Sequence, residues 1–357
     1  MHRRSLLKGL AATTVGGPLA TLALPATAAQ ADGSYHIALC EQFKNQILLH
    51  DSADETWTPA NRKWTWTPPA DTADNRATWR NLSDIKFRST TAHGWVALVT
   101  ASYGKVGIVD IGDLNDPNAP LLWHETPYGN PHGIERIPGI GAIVVASSEP
   151  GLLTVYAPAP GQTDDMSTLQ KALAFDYEGA HGVWYDGTFL WVLGTKWLIK
   201  YSWSGTSYKD FALKNEQMIA VTGGHSLDTD LSASDYLLMT DGSTVNQVSK
   251  STGKVVPWHP TDYARPASYP VVGPHWIGPM EPLPTIGVKS LARVASGESF
   301  WLQAIGATDP TRQGDWWNDH IDFFDAQGKR TRSKGLDASY GYTPRFYRAR
   351  VSQVAFA

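Results

Sequence analysis

One cysteine, Cys40, is all that the 357 residues carry, so no disulfide can form within the chain and packing alone must hold the fold. Cys40 sits inside an alternating apolar segment and reads as core rather than as a nucleophile. The chain also lacks a run of about 20 strongly apolar residues, the length needed to cross a bilayer. Its longest weakly apolar stretch, GLAATTVGGPLATLAL at 9 to 24, is short and diluted by Gly, Thr and Ala. No excess of positive charge exists either: 30 Lys and Arg stand against 34 Asp and Glu, a formal net charge of −4 with the signs interspersed. That balance argues against a surface built to neutralise nucleic-acid phosphates. There is no G-x-S-x-G, P-loop, dinucleotide or H-E-x-x-H motif, which removes the commonest hydrolase, nucleotide and zinc-protease chemistries. Helical periodicity is nearly missing as well. DDMSTLQKALAF, 164 to 175, is the one polar stretch with a helical look, and it reads as a loop or an outer strand.

What is present begins with an address. MHRRSLLK carries twin arginines, the weakly apolar run follows, and A-x-A cleavage points lie at Ala26 and Ala28 or at Ala29 and Ala31. This is an export signal of the twin-arginine type over residues 1–31. A single domain is expected over 32–357, secreted to the extracellular space. That length is large for one compact domain unless it is built of repeats.

A repeat is there. A strand, turn, strand unit recurs six times: HIALCEQFKNQILLHD (36 to 51), WVALVTASYGKVGIVDI (95 to 111), GAIVVASSEPGLLTVYA (141 to 157), TFLWVLGTKWLIKYSW (188 to 203), DYLLMTDGSTVNQVSK (235 to 250), and SFWLQAIG with DHIDFFDA (299 to 306 and 319 to 326). Apolar alternation around turn-forming residues is the hairpin signature. Five units follow a further short strand, at SDIKFR, HGIERI, HGVWYD, HSLDTD and KSLARV. The first unit lacks one, and FYRARVSQVAFA at 346 to 357 can supply it by pairing back. The expected fold is therefore all-β, a six-bladed β-propeller closed by the C-terminal strand, since closure removes unpaired sheet edges. A β-sandwich pair is the alternative.

In a propeller the first strand of each blade lines the central channel. Aligning the units places Ser83, His132, His181, His225, Lys289 and either Arg348 or Arg350 in one ring. The glycines after His132 and His181 suggest close backbone approach. Three readings are open for the histidines. They bind a divalent metal (Mn, Zn or Ca), one of them acts as general base, or they only hydrogen-bond neighbouring blades. Lys289 and an arginine beside them suit an anionic substrate, because neutralising the carboxylate of a uronate acidifies its C5 proton for β-elimination.

His132, His181, His225 and Lys289, clustered on this architecture, resemble the site of propeller-fold polysaccharide lyases of the oligogalacturonate-lyase type. That resemblance implies metal binding or base action by the histidines and carboxylate binding by Lys289 with Arg348 or Arg350. Such enzymes commonly have seven blades, where six are counted here. The whole chain also resembles a family of secreted bacterial β-propellers of unknown function. The expected activity is a lyase acting on an acidic oligo- or polysaccharide. A non-catalytic propeller binding sugar or protein, or a glycoside hydrolase using Glu135, Asp228 or Asp230, is the alternative. A monomer without a membrane span is expected.

Fifteen tryptophans suggest stacking surfaces for sugars. Trp57, Trp64 and Trp66, in DETWTPANRKWTWTPPADT, are candidates for a rim platform. A second rim loop, DPTRQGDWWNDH, offers Asp315, Trp316, Trp317 and His320. The Pro-rich segment from Pro257 to Gly287 is long for a connection and reads as a lid or wall, with His275, Trp276 and Glu281 as its candidate site residues.

Overall fold

The computed structural model describes residues 34–112, 119–241, 245–257, 287–307, 312 and 315–352. Within them the strands form six four-stranded antiparallel sheets, and the innermost strands touch one another in a closed circle. The protein is a six-bladed β-propeller. Running from channel to rim, blade 1 is Phe346–Val351, His36–Glu41, Gln46–Asp51 and Trp64–Trp66. The C-terminal strand thus closes the ring against the first hairpin, with Ile37 opposite Val351 and Cys40 opposite Arg348. Blades 2 to 6 begin at the channel with Leu82–Thr90, Pro131–Ile137, Gly182–Tyr185, Ser226–Thr229 and Val288–Arg293. Residues 164 to 175 give a short 3-10 turn at Met166–Thr168 and then much of the outer strand of blade 3, Gln170–Asp176.

The inner strands of each blade are buried on both faces, which is why they read as nearly continuous apolar runs, whereas the outermost strands of blades 2 to 6 are largely half-buried or exposed. Successive side chains go to opposite neighbours. Ile37 and Leu39 pack on Phe300 and Phe323 of blade 6, while Ala38 and Cys40 pack on Ile85 and Val99 of blade 2. The same division recurs at every junction among the described residues, giving six apolar clusters, each shared by two adjacent blades. Glycine permits the tightest approach near the channel. A Cβ on Gly133 would stand 2.7 Å from the carbonyl oxygen of His181, one blade away.

Three tryptophans expected at the rim are elsewhere. Trp57, Trp64 and Trp66 are 0%, 1% and 1% exposed, so they offer no face to a sugar. Trp64–Trp66 is the outer strand of blade 1. Its two indoles fill the junction with blade 2, edge-on to Phe87 and Trp79 respectively. Trp57 stacks on His50 and donates its indole N–H to the carbonyl of Asp51. The Trp-rich insertion is therefore structural, because it supplies the short outer strand that covers the apolar third strand of blade 1.

Candidate functional site

The inner strands share an irregularity that builds one ring. In blades 2, 3 and 6 the ladder skips a residue: Leu82 pairs with Ala101 and Asp84 with Thr100, Pro131 with Ser147 and Gly133 with Ala146, Val288 with Gln303 and Ser290 with Leu302. The residues left over are Ser83, His132 and Lys289. In blade 1 the ladder passes from Phe346 to Arg348 and leaves over Tyr347. In blades 4 and 5 the extra residue stands just ahead of the strand. His181 and His225 donate their N–H groups to the carbonyls of Leu193 and Thr240, the residues opposite Gly182 and Ser226. A bulge re-aims its extra side chain, and here each blade contributes its extra residue to one mouth of the channel.

Ser83, His132, His181, His225 and Lys289 stand at these bulge positions, and the sixth position is taken by Tyr347, not Arg348 or Arg350. The imidazoles meet. Ring centroids of His132 and His181 lie 4.6 Å apart and stacked, those of His181 and His225 4.5 Å, and those of His132 and His225 6.5 Å. Tyr347 completes the cluster, its hydroxyl 2.9 Å from Nδ1 of His132. Nζ of Lys289 lies 3.1 Å from Nε2 of His225 and 4.6 Å from the ring centre of Trp316, itself 42% exposed. Nδ1 of His181 donates to the carbonyl of Gly179 at 3.1 Å, which leaves Nε2 with the lone pair.

Burial sets the protonation of this cluster. It holds His132 and His225 well below the ordinary imidazole value and His181 at about 3, so all three are neutral in mild conditions. Burial, and then the positive charge of Arg348, brings Lys289 down to about 7. A metal fits this arrangement poorly. The imidazoles stack instead of aiming nitrogens at one point, Nδ1 of His132 is engaged by Tyr347, and an amine occupies the position facing Nε2 of His225. Among the described residues no group of three His, Cys, Asp or Glu side chains is placed to hold an ion.

The arginines lie beneath the mouth. Arg348 is fully buried and donates to backbone carbonyls of three other blades, at Ser83, His132 and Lys289. Arg350 crosses the axis, from Asp84 of blade 2 at 2.6 Å to Asp228 of blade 5 at 2.9 Å. Lys86 donates to the carbonyls of Ile134 and Val183 and pairs with Asp84 at 3.2 Å. Glu135 takes a two-pronged grip from Arg88 at 2.7 Å. Burial alone would raise Asp84, but Arg350, Lys86 and Arg348 hold it well below the usual carboxylate range. The network plugs the channel, and four cations (Lys86, Arg88, Arg348, Arg350) face three carboxylates (Asp84, Glu135, Asp228). Expected carboxylate binding by Arg348 or Arg350 is not available, since their forks are spent inside.

The acids considered for glycoside hydrolysis are engaged too. Glu135 and Asp228 are in this network, and Asp230 accepts from Ser232 and Gln247 and lies 3.6 Å from Arg293. Trp317 lies beside Trp316 under Arg345 and Arg312, and His320 pairs with Asp319 at 2.6 Å. His275, Trp276, Glu281 and the export segment lie outside the described residues. No described helix is long and apolar enough to cross a membrane.

No protein-family model matches the chain, and no curated protein matches it. Solved structures are similar to it at low sequence identity. A periplasmic gluconolactonase of Pseudomonas aeruginosa is 13% identical with a TM-score of 0.49, covering 91% of this chain and 100% of that one. A protein of Bacteroides fragilis described as a 6-phosphogluconolactonase is 12% identical with a TM-score of 0.46, covering 90% and 98%. A dihydro-heme d1 dehydrogenase is 15% identical with a TM-score of 0.40, covering 85% of this chain, which spans only 54% of that one. The fold assignment rests on the six sheets themselves.

Proposed function

We propose that this chain is a secreted lyase that cleaves a uronate-containing saccharide by β-elimination at the channel mouth, with Lys289 as the base. The observation that carries the reading is the placement of Lys289. Its amine is held near neutrality, 3.1 Å from an imidazole nitrogen and beside an exposed indole face. A general base works best when its pKa is near the working pH. The neutral histidines, with His181 at about 3, are too weakly basic for the task.

In the reaction the C5 proton passes to Nζ of Lys289. The electron pair it leaves forms the C4–C5 double bond, and the C4–O bond breaks with its pair on oxygen. The departing oxygen then takes the proton from the ammonium just formed. With Tyr347 donating to Nδ1 of His132, the Nε2–H of that ring donates to the uronate carboxylate as charge moves onto it, and the positive excess of the network below favours that anion. Trp316 stacks on the sugar ring.

The test is incubation with uronate polymers, following the ultraviolet absorbance of the unsaturated product. Wild type is expected to generate it and folded Lys289→Met is not. New reducing ends without unsaturation would replace the lyase by a hydrolase. Binding without any product would leave a non-catalytic module.

A further inference from the structure

A second set of aromatic and basic side chains continues from the mouth along the surface of blades 6 and 1, and the mouth does not use it. Phe43, on the turn between the second and third strands of blade 1, is 49% exposed and stacks on Tyr342 with ring centroids 5.4 Å apart. Lys44 stands over both rings at 5.5 Å. Arg345 lies over Phe43 at 5.5 Å and over Trp317 at 4.9 Å, bridging the blade 1 turn to the blade 6 loop. Trp317 adjoins Trp316 in the chain, and Trp316 faces Lys289. Rings and cations thus run from the turn at Phe43 through Arg345 to Trp317, and its chain neighbour Trp316 carries the line to the proposed base.

The backbone under this strip is pinned. Glu41 accepts from the N–H groups of Phe43, Lys44 and Arg345 at 2.6, 2.8 and 3.0 Å. Asn318 and Phe346 exchange hydrogen bonds of 3.0 and 2.7 Å and hold the Trp317 loop to the closing strand. Glu41 spends its carboxylate on these N–H groups and on the hydroxyl of Tyr342, and among the described residues no carboxylate forms an ion pair with Lys44 or Arg345. Exposed cations on aromatic faces, carried by a pinned backbone and with no ion-pair partner among the described residues, suit a ligand with flat apolar faces and regularly spaced anions.

We infer that the strip formed by Phe43, Lys44, Tyr342, Arg345 and Trp317 is an extended binding track for an acidic polysaccharide, holding uronate residues beyond the one at Lys289. The inference rests on the proposed reading of the mouth for the identity of the sugar. Arginine and lysine meet successive carboxylates, and the rings carry the sugar faces between them. Affinity then grows with oligomer length, because a short fragment seated at the mouth does not reach Phe43.

Calorimetric binding of uronate oligomers of increasing length to the intact protein tests the track without requiring turnover. Phe43→Ala and Arg345→Glu, both at exposed positions, are expected to weaken a long oligomer about tenfold each while leaving a disaccharide unchanged. Wild-type affinity for the long oligomer is expected to fall with added salt. Equal affinity of both variants and wild type for long oligomers, or equally tight binding of a neutral glucan, overturns the track. Length-dependent uronate binding without an unsaturated product upholds the track and rejects the lyase.

Discussion

Nζ of Lys289, on the inner strand of blade 6, and Nε2 of His225, just ahead of the inner strand of blade 5, are 3.1 Å apart in a cluster that is otherwise neutral. Each group sits where the other's charge would be costly, so at most one of them is protonated near neutral pH. Lys289 at about 7 is the one that titrates. Lys289→Met is expected to fold and to abolish product formation, whereas Lys289→Arg folds with its charge fixed and is equally inactive, checked by the same absorbance assay. An active Lys289→Arg would mean that charge and not proton transfer is what the position supplies.

The histidines make stability depend on pH. A histidine whose folded pKa lies below its unfolded 6.5 binds fewer protons folded than unfolded. Its contribution is thus complete above about 6.5 and is lost as pH falls towards the folded value. His132, His181, His225 and the structural His50, at about 3, all behave so. Between pH 6.5 and 4.5, above the range where most carboxylates titrate, the melting temperature is expected to fall steadily. The buried Asp228, which is raised, works in the opposite sense. Replacing His181 with Gln is expected to flatten the slope.

Arg348 holds three blades through their carbonyls and neutralises Asp84 within a buried network. Arg348→Met leaves those groups unmatched and is expected to cost about 3–5 kcal/mol in urea unfolding, the range for breaking a buried ion pair from one side. A near-neutral result would show that the plug is dispensable.

The two tryptophan groups separate by exposure. Trp64→Ala empties the blade 1 to blade 2 junction and is expected to cost about 3–5 kcal/mol. Trp316→Ala is expected to leave denaturation almost unchanged and to raise KM for the saccharide. Thermal melts and initial rates distinguish them.

Much of this was legible beforehand. Six hairpins, the preceding short strands and the closing strand could be read because each blade repeats the same apolar alternation. The convergence of His132, His181, His225 and Lys289 followed from aligning the units. Strict alternation through FYRARV sets Arg348 and Arg350 on one face and hides Tyr347, because a bulge at the start of the strand shifts the register by one. Its signal was present: in L-S-D-I, P-H-G-I, A-H-G-V, G-H-S-L and V-K-S-L the ring residue precedes an apolar position by two, and in F-Y-R-A that residue is Tyr347. The fate of Arg348 and Arg350 was not legible, since a guanidinium crossing the axis depends on carbonyls of distant blades. Trp57, Trp64 and Trp66 misled because a Pro- and Thr-rich insertion looks like a surface loop even when its indoles turn inward.

Tyr347→Phe removes the hydroxyl from Nδ1 of His132. The expected loss is about 1 kcal/mol of stability in urea unfolding, with a fall in kcat larger than any change in KM in the absorbance assay.

The pH dependence of kcat/KM on a uronate polymer tests the central claim most directly. Proton transfer to Lys289 requires activity to rise with pH through a single ionisation near 7, absent from any residual rate of Lys289→Met. A rate that is flat from pH 5 to about 9, spanning the ionisation on both sides, or one that falls as Lys289 loses its proton, contradicts the assignment of Lys289 as the base.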